Sequence, residues 1–138
     1  MQKRAILGFI IALVTITASC SMGKSKEAGE AAATQFHNQF NAGQYKEIYD
    51  QADEAFRKAA AETEVVAIFE AVRKKLGTIK QANANGWHVF MGEATTVSLQ
   101  YDTEFTEGKA TEQFVYVVNG DKAALVNYTI NSPLLITK

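Results

Sequence analysis

The chain has 138 residues, with 14 Lys or Arg and 15 Asp or Glu, and its net charge is −1. This length suits one domain around one core, and a nearly neutral chain without a basic run gives no reason to expect nucleic-acid binding. One cysteine and two histidines provide neither a disulfide framework nor the spacing of a metal site. No Gly-rich phosphate loop is present, so we expect no cofactor.

The N-terminus has the pattern of a signal peptide. Two basic residues precede an uncharged apolar run from Ala5 to Ile16. As a helix this run would be about 18 Å long, short of the roughly 30 Å of bilayer hydrocarbon, so it predicts an export signal rather than a membrane span. The following Thr17-Ala18-Ser19-Cys20 resembles the lipobox of bacterial lipoproteins. That resemblance implies cleavage after Ser19 and attachment of fatty acids such as palmitate to Cys20.

An N-terminal lipid would decide where the protein resides. Cys20 is the only cysteine, and acylation explains this unpaired exported thiol better than ordinary secretion does. The resemblance implies a lipid anchor at the cell membrane or the outer membrane, on the periplasmic or extracellular face, and Ser21 favours the outer membrane because Asp there would resemble an inner-membrane retention signal. We predict a signal peptide at 1–19, the lipidated cysteine and a short tether at 20–29, and one domain at 30–138. Residues 3–17 are expected to form a helix with few contacts.

The first half of the domain has the apolar period of helices. From Glu30 apolar residues recur every three or four positions, and Gly43 suits a left-handed C-cap after this helix. Thr63 predicts the N-cap of a later helix, which Gly77 ends. Between them lies an amphipathic helix whose apolar face consists of Tyr45, Ile48, Tyr49, Ala52 and Phe56.

After Gly77 the apolar period changes to two, which predicts strands. Two short strand pieces flank Asn83–Gly86, and a longer strand ends at Phe105 with Asp102 on its polar face. The apolar face of that strand consists of Val97, Leu99, Tyr101, Thr103 and Phe105. The run from Phe114 to Val118 is apolar on both faces, so we expect a central strand.

Asn119-Gly120 predicts the last hairpin, because both residues tolerate positive φ. A two-residue loop there would pair Val118 with Asp121. Helices first and an antiparallel meander second predict an α+β fold, in which N-terminal helices pack on a curved antiparallel sheet.

Several local pieces together carry a resemblance to a known family. Three of them are Phe40-Asn-Ala-Gly-Gln-Tyr45, Leu76-Gly77 and Tyr101-Asp-Thr-Glu-Phe105. The fourth begins with Gly108–Val115 and continues to Asn127–Ile130. In this order they resemble the small exported NTF2-like, or cystatin-like, domains, especially those of DUF4019-type lipoproteins, over Glu30 to Asn131. The resemblance implies a half-open cone that relatives use as an active site, a ligand pocket or an interface. Ala123 and Ala124 stand where such domains usually carry a Trp, so we expect this region to line or plug the cone.

The residues offer three kinds of candidate site. For a ligand in the cone, the candidates are Tyr45, Tyr49, Tyr116, Tyr128 and Trp87. For general acid–base chemistry the available groups are His37, Asp102, Tyr101 and the same tyrosines, although Asp102 is expected to face solvent. The third candidate is the group Trp87, His88, Phe90 and Met91. These residues either close the core or, if they are exposed, form a contact patch.

The leading hypothesis is a non-enzymatic, lipid-anchored module of the cell envelope. It would bind the membrane through Cys20. Its further partner would be an envelope protein, a second copy of the chain, or a small apolar ligand in the cone. The alternative is an acid–base enzyme of the ketosteroid isomerase type, which would need a carboxylate or histidine made basic by burial in the cone.

Overall fold

The computed structural model describes residues 18–137, so the helix predicted at residues 3–17 lies outside the described residues. The helices are α1 (Ala18–Asn41), α2 (Tyr45–Gln51), α3 (Glu54–Ala59), α4 (Glu62–Leu76) and α5 (Pro133–Ile136). The strands are β1 (Ile79–Met91), β2 (Thr95–Phe105), β3 (Lys109–Asn119) and β4 (Lys122–Asn131). Among these helices, none is long and apolar enough to cross a membrane.

The four strands form one antiparallel meander in the order β1-β2-β3-β4, and the N-terminal helices pack on this curved sheet. The predicted α+β fold is therefore confirmed. The strand β3 has a neighbour on each side, as expected for the apolar run from Phe114 to Val118.

The core lies between α1, α2, α4 and the inner face of the sheet, which is the face turned toward these helices. Alternate residues of β2 are buried on that face, whereas Asp102 is exposed, both as predicted. Phenylalanine rings from three elements meet edge to face, since the ring of Phe36 lies 5.6 Å from that of Phe69 and 5.0 Å from that of Phe114. These rings fill the space between helix and sheet with apolar contacts.

The helix α1 begins at Ala18 rather than at the predicted Glu30, so the segment predicted as a tether is helical. Its small residues allow a close approach to β2. A Cβ atom added to Gly29 would lie 2.5 Å from Cγ1 of Val97, and Ala28 is buried as well. The apolar period does not show this contact, because glycine and alanine mark no hydrophobic stripe.

The predicted second helix is broken into α2 and α3. The break occurs at Asp53, whose side chain caps α3 by accepting a hydrogen bond from the backbone N–H of Ala55 at 2.9 Å. The backbone N–H of Asp53 donates to the carbonyl of Leu125 on β4 at 2.8 Å. The next helix is preceded by Ala61 as its N-cap rather than by Thr63, so that prediction is wrong by two positions.

The strand β1 is continuous, although the sequence predicts two pieces around Asn83–Gly86. Its register with β2 shifts between Ile79 and Gln81 and again between Ala84 and Gly86, which marks two irregularities. Hydrogen bonding to β2 on both sides of each shift keeps the chain extended. Asn83–Gly86 therefore forms no turn, although Asn and Gly favour turns.

The last hairpin turns one residue later than predicted. Gly120 and Asp121 form the turn, and Val118 pairs with Ala123 rather than with Asp121. Gly120 has φ of 67°, whereas Asn119 remains in the strand without a positive φ. One residue in the left-handed region is therefore enough for this turn.

A bulge in β4 changes which residues face the helices. Val126 has no partner on β3, because the pairing passes from Leu125 directly to Asn127. The residues that pack against the core are Ala123 and Leu125 before the bulge and Tyr128 and Ile130 after it. Ala124 alternates with Ala123 and lies on the outer face. Of the alanine pair expected to line or plug the cone, only Ala123 packs against the core.

Candidate functional site

The inner face of β3 carries an acidic side chain that the sequence analysis did not single out. Glu112 alternates with the buried residues Ala110 and Phe114, so its side chain points beneath α1 into the core. Its exposed fraction is 0%. A carboxyl group removed from water needs hydrogen-bond partners within the protein.

Three donors on three different elements reach this carboxylate. Oγ1 of Thr103 on β2 lies 2.5 Å from Oε2, and Nε2 of His37 on α1 lies 2.8 Å from the same oxygen. The hydroxyl of Tyr128 on β4 donates to Oε1 at 2.7 Å. Because a carboxylate only accepts, His37 donates through a proton on Nε2. We name these four residues, Glu112 included, the Glu112 centre, and it joins α1 to three strands.

Aromatic rings enclose the Glu112 centre. The ring of Phe114 lies 5.0 Å from that of Tyr128 and 5.5 Å from that of His37, and it stacks on Tyr116 at 5.8 Å. The ring of Tyr101 meets His37 edge-on at 5.5 Å. These contacts separate the carboxylate from water on the side of the sheet that α1 covers.

Burial keeps the surrounding phenols neutral. Burial first, and then the charge of Glu112, raises the pKa of Tyr128 well above the ordinary value of 10.0. Burial likewise raises the pKa of Tyr116 well above that value. Burial and the charge of Glu30 raise the pKa of Tyr101 to about 12. All three hydroxyls therefore carry their protons at physiological pH.

The hydroxyl of Tyr116 is buried without a hydrogen-bond partner among the described residues. Tyr116 lines a cavity between α1, α2 and β4 that Gln35 and Gln51 also line, and its volume is about 40 Å³. Pockets for organic ligands usually measure about 300–1,000 Å³. This cavity is therefore too small for an organic ligand. A more open pocket of about 600 Å³ lies toward α5, and Thr103 of the Glu112 centre is among its lining residues, whereas Glu112 itself is not.

A carboxylate, an imidazole and a phenol are groups that acid–base catalysis uses. In the Glu112 centre both carboxylate oxygens already accept hydrogen bonds, and packed rings surround them. Because Glu112 is fully buried, a substrate could reach it only if the side chains around it moved. Within the described residues, no group of three or more His, Cys, Asp or Glu could hold a metal ion.

The residues predicted to bind a ligand lie in separate places. Tyr45 packs in the core near Phe69, with the ring centroids 5.8 Å apart. The hydroxyl of Tyr49 lies 3.0 and 3.1 Å from two backbone carbonyl oxygens, one in α3 and one in the segment after it. Trp87 lies on β1, at one edge of the sheet. Tyr128 links two of the others through shared phenylalanine neighbours, because Tyr116 and Tyr128 both contact Phe114, and Tyr45 and Tyr128 both contact Phe69.

Exposed apolar side chains gather at the end of the domain where α1 begins. Trp87, Phe90 and Met91 on β1 are 51%, 61% and 52% exposed, and Met22 on α1 is 37% exposed. The β1 residues therefore do not close the core, and His88 between them is exposed too. Trp87 and Met91 lie on the face of β1 turned toward α1, whereas Phe90 alternates with them and lies on the opposite face of this edge strand. We name Met22, Trp87, Phe90 and Met91, which together surround this sheet edge, the N-terminal patch.

An open groove lies at the same end of the domain. It runs between the early turns of α1 and the ends of β2 and β3, and its volume is about 990 Å³. Its lining combines Ala28 and Val118 with the charged residues Lys24, Glu27 and Asp121. Cys20, the predicted site of lipidation, lies in the first turn of α1, next to this groove along the helix.

One signal in the sequence could have pointed to Glu112. Ala110, Glu112, Phe114 and Tyr116 share one phase of an alternation whose other phase includes Val115 and Val117. Glu112 shares its phase with Ala110, Phe114 and Tyr116, and an acid on the phase that faces the core needs buried partners. The identity of those partners depends on how α1 and the neighbouring strands meet β3.

Comparison with known proteins assigns no relative. No family model matches the chain, and a search of curated proteins finds no match. The resemblance to NTF2-like domains of the DUF4019 type stays a prediction, and the function is argued from the residues and their geometry.

Proposed function

We propose that the protein is a non-enzymatic binding module of the cell envelope, exported and anchored to a membrane by lipid on Cys20. Its lipobox-like Thr17–Cys20 supports lipidation, and the resemblance favours the outer membrane. The position of Cys20 supports the proposal as well, because this residue lies in the first turn of the helix that packs along the sheet. Lipid on Cys20 would hold the folded domain close to the bilayer surface.

The distribution of filled and open space is the observation that carries this proposal. The space between helices and sheet holds packed aromatic rings and the Glu112 centre, and the cavity beside it measures about 40 Å³. The groove of about 990 Å³ at the end of the domain nearest Cys20 is more open, and so is the pocket of about 600 Å³ near α5, while Glu112 itself lines neither of them. A protein that acts by contact needs open surface of this kind, whereas an enzyme of the cone would need open space around the carboxylate.

An envelope protein suits this groove better than a small apolar ligand does. The groove is open along its length, and its lining includes Lys24, Glu27 and Asp121. Charges of both signs favour a polar partner such as an extended protein segment. A small apolar ligand would prefer an enclosed apolar pocket. A second copy of the chain remains the other macromolecular partner that the experiment below distinguishes.

Cys20→Ser tests the anchor. The variant should lose its covalent fatty acid and move from the membrane fraction to the soluble fraction, because the thiol is the predicted site of acylation. Fatty-acid labelling and membrane fractionation measure both changes. Ser21→Ala leaves the thiol in place and should remain with the membrane. Unchanged fatty-acid labelling of Cys20→Ser refutes the lipoprotein proposal.

Photo-crosslinking in intact cells tests the groove. A photoreactive residue at Asp121 should give one discrete adduct with another protein, whereas the same residue at the exposed Ile68 on α4 should not. An adduct of twice the chain's mass identifies a second copy as the partner. Equal labelling at both positions contradicts a role for the groove.

An acid–base enzyme is the second candidate, and the Glu112 centre is the observation that favours it. Such an enzyme needs residues of the types found in this centre. His37 and Tyr128 each lie within hydrogen-bond distance of the Glu112 carboxylate. Catalysis would require that the side chains around Glu112 move to admit a substrate. The full burial of Glu112 supports the binding module over this alternative.

A further inference from the structure

We infer that the N-terminal patch is a second membrane contact, seated in the headgroup region of the bilayer beside the lipid on Cys20. This inference rests on the proposed lipid anchor. It adds that the domain has a defined orientation on the membrane, with the patch facing the lipid and α5 facing away.

The helix α1 connects the anchor rigidly to the sheet. It is continuous from Ala18 to Asn41, and the segment that the sequence predicted as a flexible tether forms its early turns. Gly29 already packs against Val97 on β2. From Cys20 to Gly29 a helix rises about 13 Å, at about 1.5 Å per residue. A lipid on Cys20 therefore brings this end of the sheet to the bilayer surface, because no flexible linker separates them.

The same geometry places the N-terminal patch at that end. Nζ of Lys26 on α1 lies 5.6 Å from the ring centroid of Trp87. Met22 precedes Lys26 by one helical turn, so both residues lie on the face of α1 beside β1. Met91 follows Trp87 along β1 toward the same end and pairs with Thr95, which lines the groove together with residues of the first turns of α1.

The opposite end of the domain is formed by the other ends of the strands. Gly108, just before β3, lies close to Leu134 on α5, since a Cβ atom added to Gly108 would lie 2.5 Å from Cδ1 of Leu134. Ile136 on the same short helix is 79% exposed. Ile136 is therefore an exposed apolar residue, like those of the N-terminal patch, but it should lie away from the bilayer and can be used as a control position.

The chemistry of the N-terminal patch suits an interface between water and lipid. Seven large apolar side chains of the described residues are exposed, and four of them belong to this patch. Tryptophan is enriched at membrane interfaces, and lysines nearby can extend toward the headgroups. Lys24 and Lys26 are balanced by Glu27 and Glu93 in the same region. Apolar contact rather than charge should therefore drive the binding, so zwitterionic lipid should suffice.

Trp87 provides the test, because it is the only tryptophan of the chain. The natively processed protein is reconstituted into phosphatidylcholine vesicles, with or without bromine atoms on the acyl chains near the headgroups. Brominated lipid should reduce the Trp87 emission at least twofold, because bromine quenches only at short range. In the control, Trp87→Phe is combined with Ile136→Trp, which moves the single tryptophan to the other end, and the emission should not change.

Flotation of the vesicles separates this inference from the anchor. If the protein floats with the vesicles and Trp87 is not quenched, the membrane contact is wrong while the lipid anchor stands. Equal quenching of both tryptophan positions also overturns the defined orientation. If the natively processed protein does not float, the anchor and the inference fail together. A blue-shifted Trp87 emission without bromine quenching, in native membranes only, would assign the patch to a protein partner instead.

Discussion

Replacing Glu112 by alanine should destabilise the domain more than any exposed acidic substitution. The change removes the acceptor of three buried hydrogen bonds, those from Thr103, His37 and Tyr128. Each buried donor left without a partner costs about 1–3 kcal/mol, and three donors lose their acceptor here. Because these figures describe overlapping losses and the neighbours relax partly, we expect the free energy of unfolding to fall by about 4 kcal/mol.

The measurement is denaturation by heat and by urea, followed by circular dichroism on the full processed chain in detergent. For a domain of this size a loss of about 4 kcal/mol lowers Tm by about 15 °C. Glu104→Ala is the matched control on the neighbouring strand β2, since its carboxylate is half-exposed and lies 3.4 Å from Nζ of Lys80. An exposed pair of this kind contributes about 0.5 kcal/mol or less.

The comparison of the two variants decides whether the Glu112 centre is buried. A loss for Glu112→Ala within about 1 kcal/mol of that for Glu104→Ala would show that water reaches the carboxylate, and the reasoning from burial would be refuted. It would also strengthen the acid–base alternative, because a hydrated Glu112 could reach a substrate.

Two further predictions concern the packing of α1 and the buried phenols. Gly29→Ala should destabilise the domain by about 1–3 kcal/mol in urea unfolding, because its methyl group would crowd Val97. Gly23→Ala is the control in the same helix. Its methyl group meets nothing within 4 Å, so it should stabilise the domain by about 0.5–1 kcal/mol. Equal effects would contradict the close packing of α1. The raised pKa values of the three phenols should make stability decrease above about pH 10, toward the folded pKa of about 12 for Tyr101, because the folded state keeps protons that the unfolded state has lost. Urea unfolding at increasing pH and tyrosinate absorbance measure this effect, and ionisation near pH 10 without loss of stability would contradict it for Tyr101, Tyr116 and Tyr128.

The fold class could be predicted because it depends on local periodicity. The alternation along β2 indicates a strand with one buried face, and the doubly apolar run from Phe114 to Val118 indicates a central strand, both of which the structure confirms. Whether a side chain faces solvent or the core depends on its position within the period of the helix or strand, so the pattern of burial is visible in the order of the residues.

The candidate site could be predicted only in part. Trp87, Phe90 and Met91 are neighbours in the chain, so their exposure was one of the two alternatives visible in the sequence. Tyr116 and Tyr128 were candidates, but Glu112, which accepts a hydrogen bond from Tyr128, was not. Its four-residue centre draws on α1, β2, β3 and β4, and no local pattern records which distant residues meet.

The sequence by itself determined that helices precede an antiparallel sheet, and it determined the buried face of β2; it also predicts the export signal. Tertiary structure alone decided that α1 extends back to Ala18, because small residues such as Gly29 have no apolar stripe and are buried only where β2 meets them. Tertiary structure also decided the partners of Glu112 and the bulge at Val126 that turns Tyr128 toward the core. These features depend on contacts between residues far apart in the chain. Such a contact contributes free energy only when the fold brings both partners together.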